Sequence, residues 1–125
     1  MGYSAVWKVL DKMIADFRKR GIEVPAEIVS DLRHAKTFIN ILRADPSNSE
    51  ANQRIEEYLR NVESYLISEA IEKLGKEYTD TWLKRIEEAE KVPFDYNEEY
   101  RFVPNLPRDK KWVRIKISNN KFFNT

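Results

Sequence analysis

Apolar residues recur every three or four positions along about the first 90 residues of the chain. This spacing places apolar side chains on one face of an α-helix, so it predicts amphipathic helices packed around a shared core. The first helix should run from about residue 4 to residue 20, with Ser4 as its cap and Gly21 at its end. Pro25 suits the first position of a second helix, and Asp45-Pro46 should end that helix.

The spacing of Ser47 and Glu50 is that of a capping box, which predicts the start of a third helix. Gly75 should separate this helix from a fourth one that Thr79 or Asp80 caps. A single continuous helix that is kinked at Gly75 is the alternative.

The predicted core takes its large side chains from all four helices, because each helix has one apolar stripe. In the fourth helix, Leu83 is assigned to the same apolar face as Trp82. The residues expected to dominate the interior are Trp7, Leu10, Phe17, Leu32, Ile39, Leu59, Val62, Leu66, Trp82 and Ile86.

The chain changes character after Pro93, where helical periodicity ends. The stretch WVRIKI alternates between residue types in the manner of a half-buried strand, and EEYRFVP also favours an extended conformation. NLPRDK between them would turn a hairpin. A lone two-stranded hairpin is marginally stable in water, so we expect support from a helix beneath it or from a homodimer.

These patterns together predict a mainly α protein that forms a single domain. An antiparallel bundle of about four helices should occupy residues 1–92. Residues 93–125 should form a short β-hairpin or an extended tail that packs on the bundle.

The net charge of +1 hides an uneven distribution along the chain. Residues 100–125 contain seven cations and one acid, which gives +6 and leaves −5 for residues 1–99. This basic segment should therefore either pack on the acidic body or bind an acidic partner. Interspersed aromatic residues make nucleic acid the second expected partner after protein, although neither an RNP motif nor a GXXG loop is present. The candidate contact residues are Arg101, Arg108, Lys110, Lys111, Trp112, Arg114 and Lys116.

A second candidate surface is a polar stripe on the second helix, formed by Arg33, Lys36, Asn40 and Arg43. Steps of three, four and three residues place them on one side of the helix, flanking its apolar face. One interpretation is that their stems cover the rim of the core while their charges pair with glutamates of the third helix. The other interpretation is an anion-binding site. The glutamates in question are Glu56, Glu57 and Glu63.

Little in the sequence indicates catalysis. The chain has no cysteine, which excludes disulfides, thiolate metal sites and cysteine nucleophiles. His34 is its one histidine; with Asp31 it has a spacing used in di-iron bundles, but those need two such pairs. We expect neither metal nor cofactor, and no phosphate loop or GxSxG motif occurs. An interaction or scaffold protein ranks first, a nucleic-acid-binding module second and an enzyme third.

The expected location is the cytoplasm. No apolar run approaches the roughly 20 residues that span a bilayer, and the amphipathic N-terminus differs from a signal peptide. We therefore expect a soluble protein that does not bind membranes.

One stretch of the second helix has a recognisable pattern, which consists of Leu32, Arg33, Ala35, Lys36, Thr37, Ile39 and Asn40, followed by the helix stop Arg43 to Pro46. In these residues the chain resembles a small family of archaeal conserved proteins of unknown function. The resemblance implies an archaeal, cytoplasmic protein, and it offers no catalytic residue to carry over.

Overall fold

A computed structural model describes residues 2–94 with their side chains, and the backbone of residues 98–102 and 112–116. Residues 2–94 form a four-helix bundle, as predicted. Its helices are α1 (Tyr3–Lys19), α2 (Ala26–Ala44), α3 (Ser49–Leu74) and α4 (Lys76–Glu90).

Neighbouring helices of the bundle run antiparallel. Along the α2–α3 interface, Asp31 accepts a hydrogen bond from Asn61, and one turn later His34 stacks on Tyr58. Residue numbers thus rise along one helix as they fall along the other. α1 lies against α4 as well as α2, which closes the bundle.

The helix ends follow local chemistry that the sequence predicted only in part. Gly75 separates α3 from α4 with φ of 89°, a conformation that suits glycine, so the continuous-helix alternative is wrong. The side chain of Asn48, rather than Ser47, caps α3 by accepting a hydrogen bond from the Ala51 amide.

Two other predicted caps are wrong. Gly2 precedes α1, and Ser4 lies within that helix. Thr79 is buried inside α4, where its hydroxyl donates to the carbonyl oxygen of Gly75 at 2.8 Å, because the helix already begins at Lys76. Asp80 lies inside α4 for the same reason.

The core matches the predicted apolar stripes closely, with two corrections. Trp7 is half-buried rather than central, because its indole N–H donates to the carbonyl oxygen of Leu32 at the edge between α1 and α2. Leu83 is 38% exposed. The buried residues of α4 are Thr79, Trp82, Ile86 and Ala89, and Leu83 lies about 100° around the helix from Trp82, outside this face. The other predicted core residues are buried, namely Leu10, Phe17, Leu32, Ile39, Leu59, Val62, Leu66, Trp82 and Ile86.

Gly2 allows α1 to approach the end of α4 closely. A β-carbon at this position would overlap the carbonyl oxygen of Ala89 and lie 2.6 Å from that of Val92. The absence of a side chain at Gly2 therefore sets the distance between the two helices at this end of the bundle.

Beyond the bundle, β1 (Glu98–Phe102) pairs antiparallel with β2 (Trp112–Lys116). The chain forms two compact units, Met1–Phe94 and Asp95–Thr125. The turn predicted at NLPRDK lies outside the described residues, and a hairpin that packs on the bundle stays a prediction. Among the described residues, no helix combines the length and apolar character needed to cross a membrane.

Candidate functional site

The polar stripe of α2 lies against α1 rather than α3. The Lys36 ammonium lies 4.5 Å from the ring centroid of Trp7, and the Arg43 guanidinium donates to the Ser4 hydroxyl at 2.8 Å. Arg33 and Asn40 are exposed. Half of the stripe thus covers the rim of the core, as the first interpretation held.

The expected partners of that stripe on α3 are not the ones observed. The ion pairs within residues 2–94 each join side chains four positions apart, so none links α2 to Glu56, Glu57 or Glu63. The reason is geometric, because the flank that carries Lys36 and Arg43 faces α1. An anion site on this stripe stays a prediction.

His34 takes part in an aromatic cluster on the α2–α3 surface. Its ring stacks on Tyr58 at 5.3 Å between centroids, and Phe38 stacks on the same tyrosine at 6.1 Å. Ser30 lies 3.5 Å from the His34 ring. Within residues 2–94 no group of three or more histidine or carboxylate side chains is arranged to hold a metal ion.

The basic C-terminal candidates fall on both strands. Arg101 belongs to β1, and Trp112, Arg114 and Lys116 belong to β2. The register sets Phe102 opposite Trp112 and Tyr100 opposite Arg114, with Glu98 opposite Lys116. The remaining candidates, Arg108, Lys110 and Lys111, lie outside the described residues.

A groove between α1 and α4 is a site that the sequence did not reveal. On one side, α1 contributes Ala5, Lys8, Val9 and Lys12; on the other, α4 contributes Trp82, Arg85, Glu88 and Ala89, with Val92 just beyond. The groove has a volume of about 460 Å³, and its floor is largely apolar. We call it the α1–α4 groove.

Three cations border the α1–α4 groove. Lys8 and Lys12 are exposed on the α1 side, one helical turn apart. On the α4 side, the Arg85 guanidinium lies 4.5 Å from the ring centroid of Trp82 and covers its outer face. Among the lining residues that the structure describes, Glu88 is the one acid. The groove therefore combines an apolar floor with a positive rim.

A smaller cavity of about 160 Å³ has the opposite character. Glu56, Glu63 and Glu90 line it, and the Tyr3 hydroxyl lies 3.0 Å from the Glu56 carboxylate. Burial raises the pKa of the Glu63 carboxyl, and the nearby charge of Glu90 raises it further. Of the described residues in this lining, Arg60 is the one cation.

At the other end of α1, a polar contact joins α1 to the start of α4. The Tyr78 hydroxyl donates to Asp16 at 2.6 Å, and Arg20 donates to the same carboxylate oxygen at 2.9 Å. The hydrogen bond from Tyr78 is the largest cause of the lowered pKa of Asp16. Burial first, and then the bond to Asp16, raises the pKa of Tyr78 to about 12.

Residues 4–96 match the family described as the DUF2096 N-terminal four-helical bundle domain. The match covers the whole bundle except its first residues and ends just before β1. No curated protein matches the chain, and no solved structure does. The match supports the expectation of a conserved family, while an archaeal origin and a cytoplasmic location stay predictions.

Proposed function

We propose that this chain, which belongs to the DUF2096 N-terminal four-helical bundle family, is a non-catalytic protein-interaction module that binds a partner in its α1–α4 groove. The observation that carries the proposal is the groove itself, an apolar channel between two helices that the bundle leaves open. A channel of this kind is a common docking site for a helix of another protein.

The energetic argument concerns the apolar surface that the groove exposes. Val92 is 48% exposed at one end of it, and Ala5 and Val9 are only partly buried. Covering apolar surface contributes about 25 cal/mol per Å², so a partner gains free energy by filling the channel.

The test is photo-crosslinking from inside the groove, in cells of the source organism. A benzoylphenylalanine at Val92 should form an adduct whose partner is identified by mass spectrometry. The control position is Ile71 on α3, which is 58% exposed and does not line the groove. The Val92 adduct should disappear when Ala5→Phe fills the channel, with the fold of that variant verified by circular dichroism.

Two results contradict the proposal. One is the absence of any protein adduct at Val92. The other is crosslinking to the same partner with equal yield from Val92 and from Ile71, when the Val92 adduct also persists in Ala5→Phe. Binding would then not involve the groove.

A second candidate function is nucleic-acid binding by the C-terminal segment. What favours it is the strand register, since directly opposed residues share a face of the sheet. Tyr100 opposite Arg114 and Phe102 opposite Trp112 thus place aromatic and basic residues on one face. Labelled RNA and DNA pools should then bind the full chain with an affinity that falls steeply with salt. Loss of binding in Arg114→Ala/Lys116→Ala would support it, and a null result at low salt would exclude it.

Homodimer formation is a separate proposal that rests on the strands. Two strands form a sheet with open edges, which a second copy would cover. Light scattering on the full chain over a range of concentrations tests it, and a monomer mass at the highest concentration would contradict it.

A further inference from the structure

We infer that the partner element in the α1–α4 groove is an amphipathic helix with acidic flanks. The inference rests on the proposed function and adds the chemistry of the partner. Three features of the groove lead to it: its two-helix geometry, the small residues in its floor and the sign of its rim.

The geometry of the groove suits a third helix. Its α1 side consists of positions 5, 8, 9 and 12, and its α4 side of positions 82, 85, 88 and 89, with Val92 just past the end of the helix. These spacings describe one continuous face on each helix. The faces extend for about 10 Å along each helix, which corresponds to about two helical turns of a partner. Side-chain ridges of such a helix can pack between the two antiparallel helices.

The floor of the groove accepts apolar side chains from that partner. Ala5 on α1 and Ala89 on α4 are small, so they leave room in the lining for side chains of a partner. Trp82, two helical turns before Ala89 on α4, is buried and contributes an apolar surface at the other end of the groove. Leucine-sized side chains at helical spacing would fill this space in the manner of knobs into holes.

The rim of the groove selects the charge of the partner. Residues 1–99 have a net charge of −5, yet the groove lining has three cations and one acid. Lys8 and Lys12 are like charges one turn apart, an arrangement that destabilises an isolated helix. Neither they nor Arg85 takes part in the ion pairs formed within residues 2–94. Carboxylates on both flanks of a bound helix would face these cations.

The same features argue against nucleic acid as the occupant. Sequence-tolerant binding of single strands depends on exposed aromatic faces on which bases stack. Within residues 2–94, the one aromatic side chain in the lining is Trp82, which is buried and has the Arg85 guanidinium over its ring. An aliphatic floor also offers no hydrogen-bonding group to a base edge.

The experiment uses a designed peptide as the probe and fluorescence anisotropy with the full chain. The peptide has about 16 residues, with leucines at i, i+3, i+4 and i+7, glutamates on both flanks and alanines elsewhere. One control peptide has lysine in place of every glutamate, and another has the same composition in scrambled order. The glutamate peptide should bind at least about tenfold more tightly than either control.

Charge-reversal variants locate the binding to the groove. Lys8→Glu/Lys12→Glu should weaken binding of the glutamate peptide by about tenfold or more and strengthen binding of the lysine peptide. The matched control is Lys76→Glu/Lys84→Glu, which makes the same change in net charge at exposed positions of α4 outside the groove. It should change the affinity by less than about twofold.

Each alternative outcome has a defined consequence. Equal binding of glutamate and lysine peptides, abolished by Ala5→Phe, overturns the acidic-helix inference but leaves the proposed function intact. No binding of the glutamate peptide at about 1 mM also overturns the inference, while adducts at Val92 in cells still decide the proposed function. A third outcome is that a single-stranded oligonucleotide displaces the glutamate peptide and that Lys8→Glu/Lys12→Glu abolishes binding of the oligonucleotide. The ligand of the groove would then be nucleic acid rather than an acidic helix.

Discussion

The contact between Tyr78 and Asp16 should make a measurable contribution to the stability of the bundle. Tyr78→Phe removes one hydroxyl and keeps the ring, which lies 6.3 Å from Phe17 and 6.2 Å from Trp82 between centroids. The hydroxyl donates to a charged carboxylate at 2.6 Å, a type of hydrogen bond that contributes about 1.5–3 kcal/mol. Because the Asp16 side chain is 30% exposed and keeps its bond from Arg20, water compensates part of the loss.

We therefore expect Tyr78→Phe to lower the free energy of unfolding by about 1–1.5 kcal/mol at neutral pH. For a bundle of this size that corresponds to a fall in Tm of about 4–12 °C. The assay is urea unfolding followed by circular dichroism at a series of pH values. Tyr58→Phe is the matched control, because Tyr58 also stacks on its neighbours but its hydroxyl donates no hydrogen bond within residues 2–94.

The free energy of unfolding differs between Tyr78→Phe and wild type, and the pH dependence of this difference tests whether the Tyr78–Asp16 hydrogen bond is its cause. The pKa of Asp16 is lowered from 3.8 by folding, so its contribution is present above that value and is lost as pH falls through the lower folded pKa. The pKa of Tyr78 is raised from 10.0 to about 12, so its contribution is present below pH 10 and is lost as pH rises toward 12. The difference should thus be constant between about pH 5 and 9 and should shrink on both sides.

Two results would refute this reasoning. The first is a loss of stability in Tyr78→Phe no larger than that in Tyr58→Phe, which would mean that the hydroxyl contributes nothing net. The second is a loss that is the same at about pH 2 and pH 11 as at neutral pH, which would mean that it comes from ring packing rather than from the Asp16 carboxylate.

Three further substitutions test the packing of the bundle by the same unfolding assay. Leu66→Ala, at a fully buried position, should cost about 2–5 kcal/mol, and a loss no larger than that of Ser64→Ala at an exposed position of the same helix would contradict its place in the core. Gly2→Ala should cost about 1–3 kcal/mol because its β-carbon overlaps a carbonyl at the end of α4, and an unchanged midpoint would show that α1 shifts freely. Arg43→Ala should cost about 1 kcal/mol because Arg43 is half-buried against α1, whereas Arg33→Ala at an exposed position should stay within about 0.5 kcal/mol. If either arginine variant instead lost affinity for inorganic phosphate at an unchanged Tm, the stripe would be an anion site.

The bundle was predictable because burial on a helix leaves a periodic trace in the sequence. Leu10 and Phe17 are seven residues apart, and both are fully buried on one face of α1. The exceptions are residues where a second interaction competes with burial. Trp7 stays at the rim because its N–H reaches the Leu32 carbonyl. The sequence shows that Trp7 is large and apolar, but it does not show where its polar atom finds an acceptor.

The α1–α4 groove was not predictable from periodicity. The spacing of Lys8 and Lys12 is visible in the sequence, but their relation to Arg85 depends on which helices become neighbours across more than 70 residues of chain. The close approach at one end of that pair also requires Gly2, where a β-carbon would overlap the Ala89 carbonyl oxygen. The polar stripe of α2 shows the same limit. Its helical face was correctly predicted, whereas the helix opposite it was not, because the relative rotation of two helices follows from packing and not from the pattern of either one.

Salt dependence separates the two proposed functions, because the two surfaces contain different numbers of cations. The groove presents three cations over an apolar floor, and exposed ion pairs contribute only about 0–1 kcal/mol each, so most of the affinity for a helix should come from apolar contact. Screening of charges therefore weakens such a complex only modestly. The C-terminal segment has seven cations, and a protein that contacts 6–10 phosphates loses about 10³–10⁵ in affinity between 50 and 200 mM salt. A shallow salt dependence with the glutamate peptide and a steep one with nucleic acid would show that the chain has two independent binding surfaces. A steep dependence with the glutamate peptide would instead show that its charges, and not the shape of the α1–α4 groove, determine binding.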